Sequence, residues 1–289
     1  MSTPQTWLIT GANRGLGRAI TLAALGAGHR VVATVRGEHS LPEHKQLLVL
    51  PLDVRDRATA FRTGEQATAR FGAIDVLVNN AGYGLIGAAE EVSEQEARGI
   101  LETDLLGPLW LSQAVLPGMR AKGSGHIVQI STVGAVGTMP TLGLYNAAKW
   151  GLEGFSEAMA AEVAGFGIRV TIVEPGELRT DWASGSMQFS EPLADYDELR
   201  TSLFGTPVVP WPSPSADETD PPAAGSASAD EPEPSGTSPE DAAAAILSHV
   251  ADPSDTRLRL LIGEDAPAQA QAALSLRLDD YGRDPRFPR

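Results

Sequence analysis

Leu8-Ile9-Thr10-Gly11-Ala12-Asn13-Arg14-Gly15-Leu16-Gly17-Arg18 joins a short apolar run, Trp7-Leu8-Ile9, to an Ala- and Leu-rich segment, Leu16 to Leu25. The run reads as a buried strand and the segment as a helix. Glycine at 11, 15 and 17 removes the Cβ atoms that would hold a bulky anion away from the backbone. Free N–H groups at the helix start then face that anion. The spacing is Gly-x-x-x-Gly-x-Gly rather than the commoner Gly-x-Gly-x-x-Gly, but the mechanics are the same. An ordinary tight strand-to-helix turn is the plain alternative. The strand before it and the helix after it favour a dinucleotide pyrophosphate.

Outward from this turn the chain alternates between strand and helix. Strand candidates are 7–10, 30–35, 47–52, 76–79, 126–131, 169–174 and 258–262, with helical segments between most of them. That alternation predicts an α/β fold: a Rossmann-type doubly wound parallel sheet of about seven strands, helices on both faces, in a single domain. Ligands of such sheets bind at the carboxyl ends of the strands. Thr10, Val35, Asp53, Asn79, Ser131 and Pro175 all fall at such ends. The chemistry should therefore gather on one sheet edge.

Tyr145 and Lys149 stand four residues apart in Tyr145-Asn146-Ala147-Ala148-Lys149-Trp150, inside a helical stretch. A helical turn is about 3.6 residues, so both side chains share a face. A phenol has an ordinary pKa of about 10 and is a poor acid–base group near neutrality. A nearby ammonium favours the phenolate and lowers that value. The pair would then move a proton to or from an oxygen at working pH. Chance produces many such pairs in helices. The glycine turn in the same chain gives this one its weight.

With these motifs the chain resembles the short-chain dehydrogenase/reductase family, in its shorter single-domain branch. The resemblance rests on Thr10-Gly11-x-x-x-Gly15-x-Gly17, Asp53-Val54, Asn79-Asn80-Ala81-Gly82, Tyr145-x-x-x-Lys149 and Pro175-Gly176-x-x-x-Thr180. It runs from about Thr6 to Trp182, resumes near Ser238 and weakens after Gly263. The wording of Gly151-Leu152-Glu153-Gly154-Phe155-Ser156-Glu157-Ala158 is similar to bacterial oxidoreductases of the steroid- or retinol-dehydrogenase type.

The resemblance implies that Gly11, Asn13, Arg14, Gly15, Leu16 and Gly17 hold a dinucleotide. Asp53 and Val54 would meet the adenine, and Asn80, Ala81 and Gly82 the adenosine ribose. Thr180 would hold the carboxamide of the nicotinamide, beside Pro175, Gly176 and Leu178. Lys149 would bond the nicotinamide ribose. The choice of dinucleotide follows from charge. NAD needs a carboxylate at the end of the second strand, whereas NADP needs a cation there. Val35 occupies that place, Arg36 follows it, and Arg14 lies in the turn. NADP(H) is expected over NAD(H).

Two residues depart from the family pattern. Counting back from Tyr145 to the family's catalytic serine gives Thr132, with Ser131 beside it. A threonine still donates to a substrate oxygen, though its β-branch restricts χ1. In Glu102-Thr103-Asp104-Leu105-Leu106-Gly107, Asp104 stands where the family has asparagine. Its carboxylate near Lys149 would partly cancel the field of that lysine at Tyr145.

The expected activity is hydride transfer between NADP(H) and a ketone or aldehyde. Tyr145 is the general acid/base, Thr132 binds the substrate oxygen, and Lys149 and Asp104 complete the catalytic set. Segments 83–88, 133–143 and 180–204 would shape the substrate pocket. Their Leu85, Ile86, Val136, Met139, Leu142, Trp182, Met187, Phe189, Leu193 and Phe204 suggest a lipophilic small molecule. The alternative is a catalytically weak or inactive NADP(H)-binding sensor or partner-binding protein. A nucleotide-sugar epimerase fits the glycine spacing less well.

Composition narrows the remaining classes. The 289 residues are 42% hydrophobic, enough for one sizeable core. No cysteine is present, and the five histidines show no ligand spacing and read as surface or loop residues, so no metal site is expected. No apolar run reaches about 18 residues, so no membrane span is expected. The start, Met1-Ser2-Thr3-Pro4-Gln5, does not read as a signal peptide, and a cytoplasmic protein is expected. A net charge of −15 argues against non-specific nucleic-acid binding. Residues 206–237 hold eight prolines and no Lys or Arg, and read as a disordered insertion in which Trp211 is the sole aromatic residue. Residues 1–205 would form the core with its substrate loop, and 238–289 the last helix, strand and tail of the same domain. Apolar helical faces near 97–119 and 145–166 suggest a homodimer or homotetramer.

Overall fold

The computed structural model describes residues 3–180, 185–207 and 236–288. Trp182, Trp211 and most of the expected insertion lie outside the described residues. The chain runs β1 (Thr6–Ile9), α1 (Gly15–Gly26), β2 (Arg30–Val35), β3 (Leu47–Pro51), α2 (Arg57–Phe71), β4 (Val76–Asn79) and β5 (Gly84–Ile86). It continues α3 (Glu94–Leu101), α4 (Gly107–Lys122), β6 (Gly125–Ile130), α5 (Gly143–Val163), β7 (Ile168–Pro175), β8 (Met187–Phe189) and α6 (Asp197–Phe204). The last described elements are α7 (Pro239–Ala251), β9 (Arg259–Ile262) and α8 (Ala266–Tyr281).

Seven strands form one parallel sheet in the order β3-β2-β1-β4-β6-β7-β9. All seven expected strands are present. The order reverses between β1 and β4, which opens a crevice at their carboxyl ends. Strand periodicity divides the core between the two faces. Trp7, Ile9, Val31, Ala33, Val76 and Val78 pack with α1 and with Ala242, Ala243 and Ile246 of α7. Leu8, Val32, Leu77 and Ile127 pack with Leu111 and Met119 of α4 and Met159 of α5. β5 and β8 form a separate parallel pair beside the crevice.

Two details differ from the sequence expectations. The helical stretch near 97–119 is broken by a π-helical turn, Glu102–Leu106, between α3 and α4. Such i→i+5 turns often occur at functional sites, and this one carries Asp104, which is fully buried. A capping box fixes the start of α3: Ser93 Oγ accepts from the Glu96 N–H at 3.3 Å, and Glu96 Oε2 from the Ser93 N–H at 2.8 Å.

The histidines are the second difference. His29, His126 and His249 are buried rather than surface residues. Thr171 Oγ1 lies 2.8 Å from the Nε2 atoms of both His126 and His249, and Asp255 Oδ2 lies 2.7 Å from His249 Nδ1. Strand alternation turns His126 and Thr171 beneath α7, where Thr171 and Asp255 satisfy both nitrogens of His249, while His126 Nδ1 is buried with no hydrogen-bond partner among the described residues. Burial pushes the His126 imidazole down to about 3, so it stays neutral. No group of side chains with metal-ligand geometry occurs among the described residues.

Candidate active site

The glycine turn is built against the end of β4. Thr10 Oγ1 accepts from the N–H groups of Asn80 and Ala81, both at 3.0 Å. Asn80 Nδ2 returns hydrogen bonds to the carbonyls of Thr10 at 2.9 Å and Gly11 at 3.2 Å. A Cβ at Gly17 would lie 2.4 Å from both the Gly11 oxygen and Asn80 Nδ2. At Gly11, whose φ is +66°, it would lie 2.9 Å from the Ala81 Cα. These glycines therefore answer to the protein's own backbone as well as to an incoming anion. No acidic residue or side-chain cap occupies the start of α1, which leaves its N–H groups facing the crevice. Asn13 ties in the loop after β2, donating to the Glu38 carbonyl at 3.1 Å and accepting from the Ser40 N–H at 3.3 Å.

Arg36 is exposed at the end of β2, on the wall of the same cleft. Arg55, which the sequence reading did not single out, joins it there. Its Nε lies 3.0 Å from each oxygen of Asp53, and its Nη2 lies 2.5 Å from Oδ2. The hydrogen bonds from Arg55 hold the Asp53 carboxyl below its ordinary value, with Arg36 contributing. Val54 is buried beneath them. Arg14 reaches across the cleft, donating to the Gly185 carbonyl and to Ser186 Oγ, the latter at 2.7 Å.

At the other end, Tyr145 and Lys149 emerge from α5 as the spacing predicts, and both are buried. Thr132 caps a short 3₁₀ turn, Val133–Ala135. Its Oγ1 accepts from the Gly134 N–H at 3.1 Å and hydrogen-bonds the Tyr145 hydroxyl. Lys149 Nζ donates to the Ile130 carbonyl at 3.0 Å and lies 3.2 Å from Asp104 Oδ2. Asp104 Oδ1 accepts from the Tyr83 N–H at 3.2 Å. A Cβ at Gly82 would lie 2.8 Å from Asp104 Oδ2, so glycine there makes room for the carboxylate.

The electrostatics correct one expectation. Burial first, and the Asp104 carboxylate second, push the Tyr145 phenol above its ordinary value, opposed by the hydrogen bond from Thr132. Lys149 does not draw it down: Nζ is 5.9 Å from the Tyr145 ring centroid and is paired with Asp104. Burial also raises the Asp104 carboxyl, against the attraction of Lys149.

The loop after β7 carries the remaining expected residues. The Gly176 N–H donates to the Ile262 carbonyl at 2.8 Å, and the Glu177 N–H to Asp265 Oδ2 at 2.8 Å. Leu178 bridges to Thr237, whose N–H donates to the Glu177 carbonyl at 2.9 Å. The last residues of the stretch expected to be disordered thus help to hold this loop. Thr180 lines the cleft with Leu178 and Pro175.

One cleft of 1810 Å³ is lined by Gly11, Arg36, Asp53, Asn80, Thr132, Tyr145, Lys149 and Thr180 together. Val136, Met139, Leu142 and Met187 line its far end, whereas Leu85 and Ile86 of β5 are buried and do not. The missing wall is α8, through Gln269, Ala272, Ala273, Leu276 and Arg277. Arg277 stacks over Trp150 at 4.6 Å and donates to the Val136 carbonyl at 2.7 Å.

Residues 5–190 match the family model described as short chain dehydrogenase. The chain is 40% identical over 218 residues to the oxidoreductase BOA17 of Botryotinia fuckeliana, covering 71% of this chain and 80% of that protein. A short-chain dehydrogenase structure from Streptomyces avermitilis superposes with a TM-score of 0.81 at 35% identity, covering 98% of this chain and 97% of the other. A metagenomic short-chain oxidoreductase in complex with NADP superposes with a TM-score of 0.57 at 32% identity, covering 61% and 82%. The chain belongs to the short-chain dehydrogenase family and is an oxidoreductase of that family.

Proposed function

We propose that the protein reduces the carbonyl of a lipophilic ketone or aldehyde with NADPH. The observation that carries this reading is the convergence of Tyr145, Thr132 and Lys149 on the cleft that also holds the glycine turn. The chain fits a dinucleotide. The glycine cradle leaves no room for a Cβ, and the start of α1 carries neither acid nor side-chain cap. Arg36 and the Asp53–Arg55 pair, with no carboxylate at Val35, support NADP over NAD. The relative in complex with NADP supports the same choice. The resemblance assigns the adenosine to Asp53, Val54, Asn80, Ala81 and Gly82, and the nicotinamide to Pro175, Gly176, Leu178 and Thr180.

NADPH, held by the residues above, would supply the hydride for the carbonyl carbon. Tyr145 donates its phenolic proton to the carbonyl oxygen, leaving an alcohol, and recovers a proton from solvent. Thr132 holds that oxygen by a hydrogen bond, and its β-branch together with the Gly134 N–H fixes the hydroxyl. The raised Tyr145 keeps its phenol protonated, the form that carbonyl reduction needs as a proton donor. Lys149, paired with Asp104, keeps the end of β6 in place through the Ile130 carbonyl. Apolar Val136, Met139, Leu142 and Leu276 suit a lipophilic substrate body.

The buried Asp104–Lys149 pair supports a second reading, an NADP(H)-binding protein of weak activity. The test is NADPH and NADH oxidation across a panel of apolar ketones and aldehydes. NADPH is expected to be preferred by about tenfold or more, a gap that Arg36→Ala narrows. A preference for NADH would remove the cofactor assignment, and no oxidation with any carbonyl would favour the second reading. The enzyme is further proposed to be a cytoplasmic homo-oligomer. No described helix is long and apolar enough to cross a membrane.

A further inference from the structure

Helix α5 presents three side chains one turn apart, and each meets a different residue at the end of β6. Tyr145 bonds Thr132, Lys149 donates to the Ile130 carbonyl at 3.0 Å, and Glu153 Oε1 accepts from Ser131 Oγ at 2.7 Å. The first two belong to the reaction centre, and the third has no part in the chemistry. Glu153 is 8% exposed and Ser131 4%, so the carboxylate has been withdrawn from water for this contact. That withdrawal costs several kcal/mol unless the charge is paired. Arg259 supplies the pairing. Its Nη2 lies 3.4 Å from Glu153 Oε2 and 2.7 Å from Glu157 Oε1, and its Nε lies 2.9 Å from Glu174 Oε1. One guanidinium on β9 thereby joins α5 and β7 to the end of β6.

The location gives this cluster a consequence. β6 ends at Ile130, and the Ser131 N–H makes one more bond to its neighbour strand, to the Val173 carbonyl at 2.8 Å. Thr132 follows with no interstrand bond of its own from its N–H. Both side chains meet the same face of α5, two turns apart. One is anchored on Glu153 while the other faces Tyr145.

We propose that Glu153, held by Arg259, is a positioning residue that fixes the Thr132 hydroxyl through Ser131. Its kinetic consequence rests on the carbonyl-reduction reading, whereas its mechanical consequence does not. Displacements of about 1 Å at a reacting group can cost up to about a hundredfold in rate, and loss of this hydrogen bond shifts Thr132 by less.

The test uses Ser131→Ala, which removes one hydrogen bond with little change of volume, in the full chain. Expected are a fall in kcat of about tenfold, a KM within about twofold of wild type, and faster amide exchange across 131–137. Glu153→Ala should match it, and the double variant should be no worse than the poorer single one. Glu153→Gln, whose amide oxygen still accepts from Ser131, should recover most of the loss. Wild-type exchange and turnover in Ser131→Ala, or losses that multiply in the double variant, would overturn the proposal. Faster exchange in Ser131→Ala, where wild type reduces no carbonyl, would support the brace and sink the carbonyl-reduction reading instead.

Discussion

The two ends of the cleft are held by different forces. At the glycine turn, Thr10 and Asn80 lock β1 to β4 through neutral side chains and backbone groups. Around Tyr145 the framework is ionic and its carboxylates are buried: Asp104 with the buried Lys149, and Glu153 and Glu174 with the exposed Arg259. Neutral hydrogen bonds impose shape and are indifferent to pH. Buried charges tune proton affinities and change with every substitution nearby. The nucleotide end should therefore fail by steric misfit, and the reaction end by altered proton balance.

Substitutions separate these modes. Gly17→Val forces a branched side chain into space bounded by the Gly11 carbonyl and Asn80. Dinucleotide affinity should fall by about a hundredfold or more, or about 2.7 kcal/mol, as read by fluorescence titration. Affinity like that of wild type would break the contrast from the nucleotide side. Asp104→Asn acts at the other end. It removes a carboxylate that raises the Tyr145 phenol, so the alkaline limb of carbonyl reduction should move down by about one pH unit. An unmoved profile would mean that Asp104 does not set the proton affinity of Tyr145.

The smallest effect concerns stability. Burial first, then Glu153, push the Glu174 carboxyl from 4.5 up to about 7, while Arg259 opposes them. Between those values the native protein keeps a proton that the unfolded chain has lost. This contribution is therefore complete below 4.5 and is lost as pH rises through about 7. Wild type should lose a few degrees of Tm, about 2–4 °C, between pH 5 and 8 that Glu174→Gln does not lose. Parallel melting curves for the two would exclude the buried proton.

What the sequence revealed follows the same division. Glycine spacing, strand-end residues and the Tyr145–Lys149 interval depend on backbone geometry, which has fixed periods, and the sheet and cleft follow from them. Counting back from Tyr145 also points to the hydroxyl, Thr132, that the fold brings to the phenol. The Asp104 carboxylate beside Lys149 was expected from its place in the family pattern, but the rest of the charge balance was not readable, because it depends on neighbours distant in sequence. Asp104 reaches Lys149 only through a π-helical turn that no residue pattern announced. Arg259 gathers three carboxylates from α5 and β7. The α8 wall escaped notice because Ala272 and Ala273 carry no chemical signature. Its contact with the 133–143 segment is set by the bare Gly137, where a Cβ would lie 2.9 Å from that of Ala273.

The most direct test of the central claim is Tyr145→Phe, with nucleotide affinity and turnover measured on the same preparation. Removing the hydroxyl should leave NADPH affinity within about threefold while carbonyl reduction falls by about a thousandfold. Reduction persisting at the wild-type rate would show that the proton comes from another group.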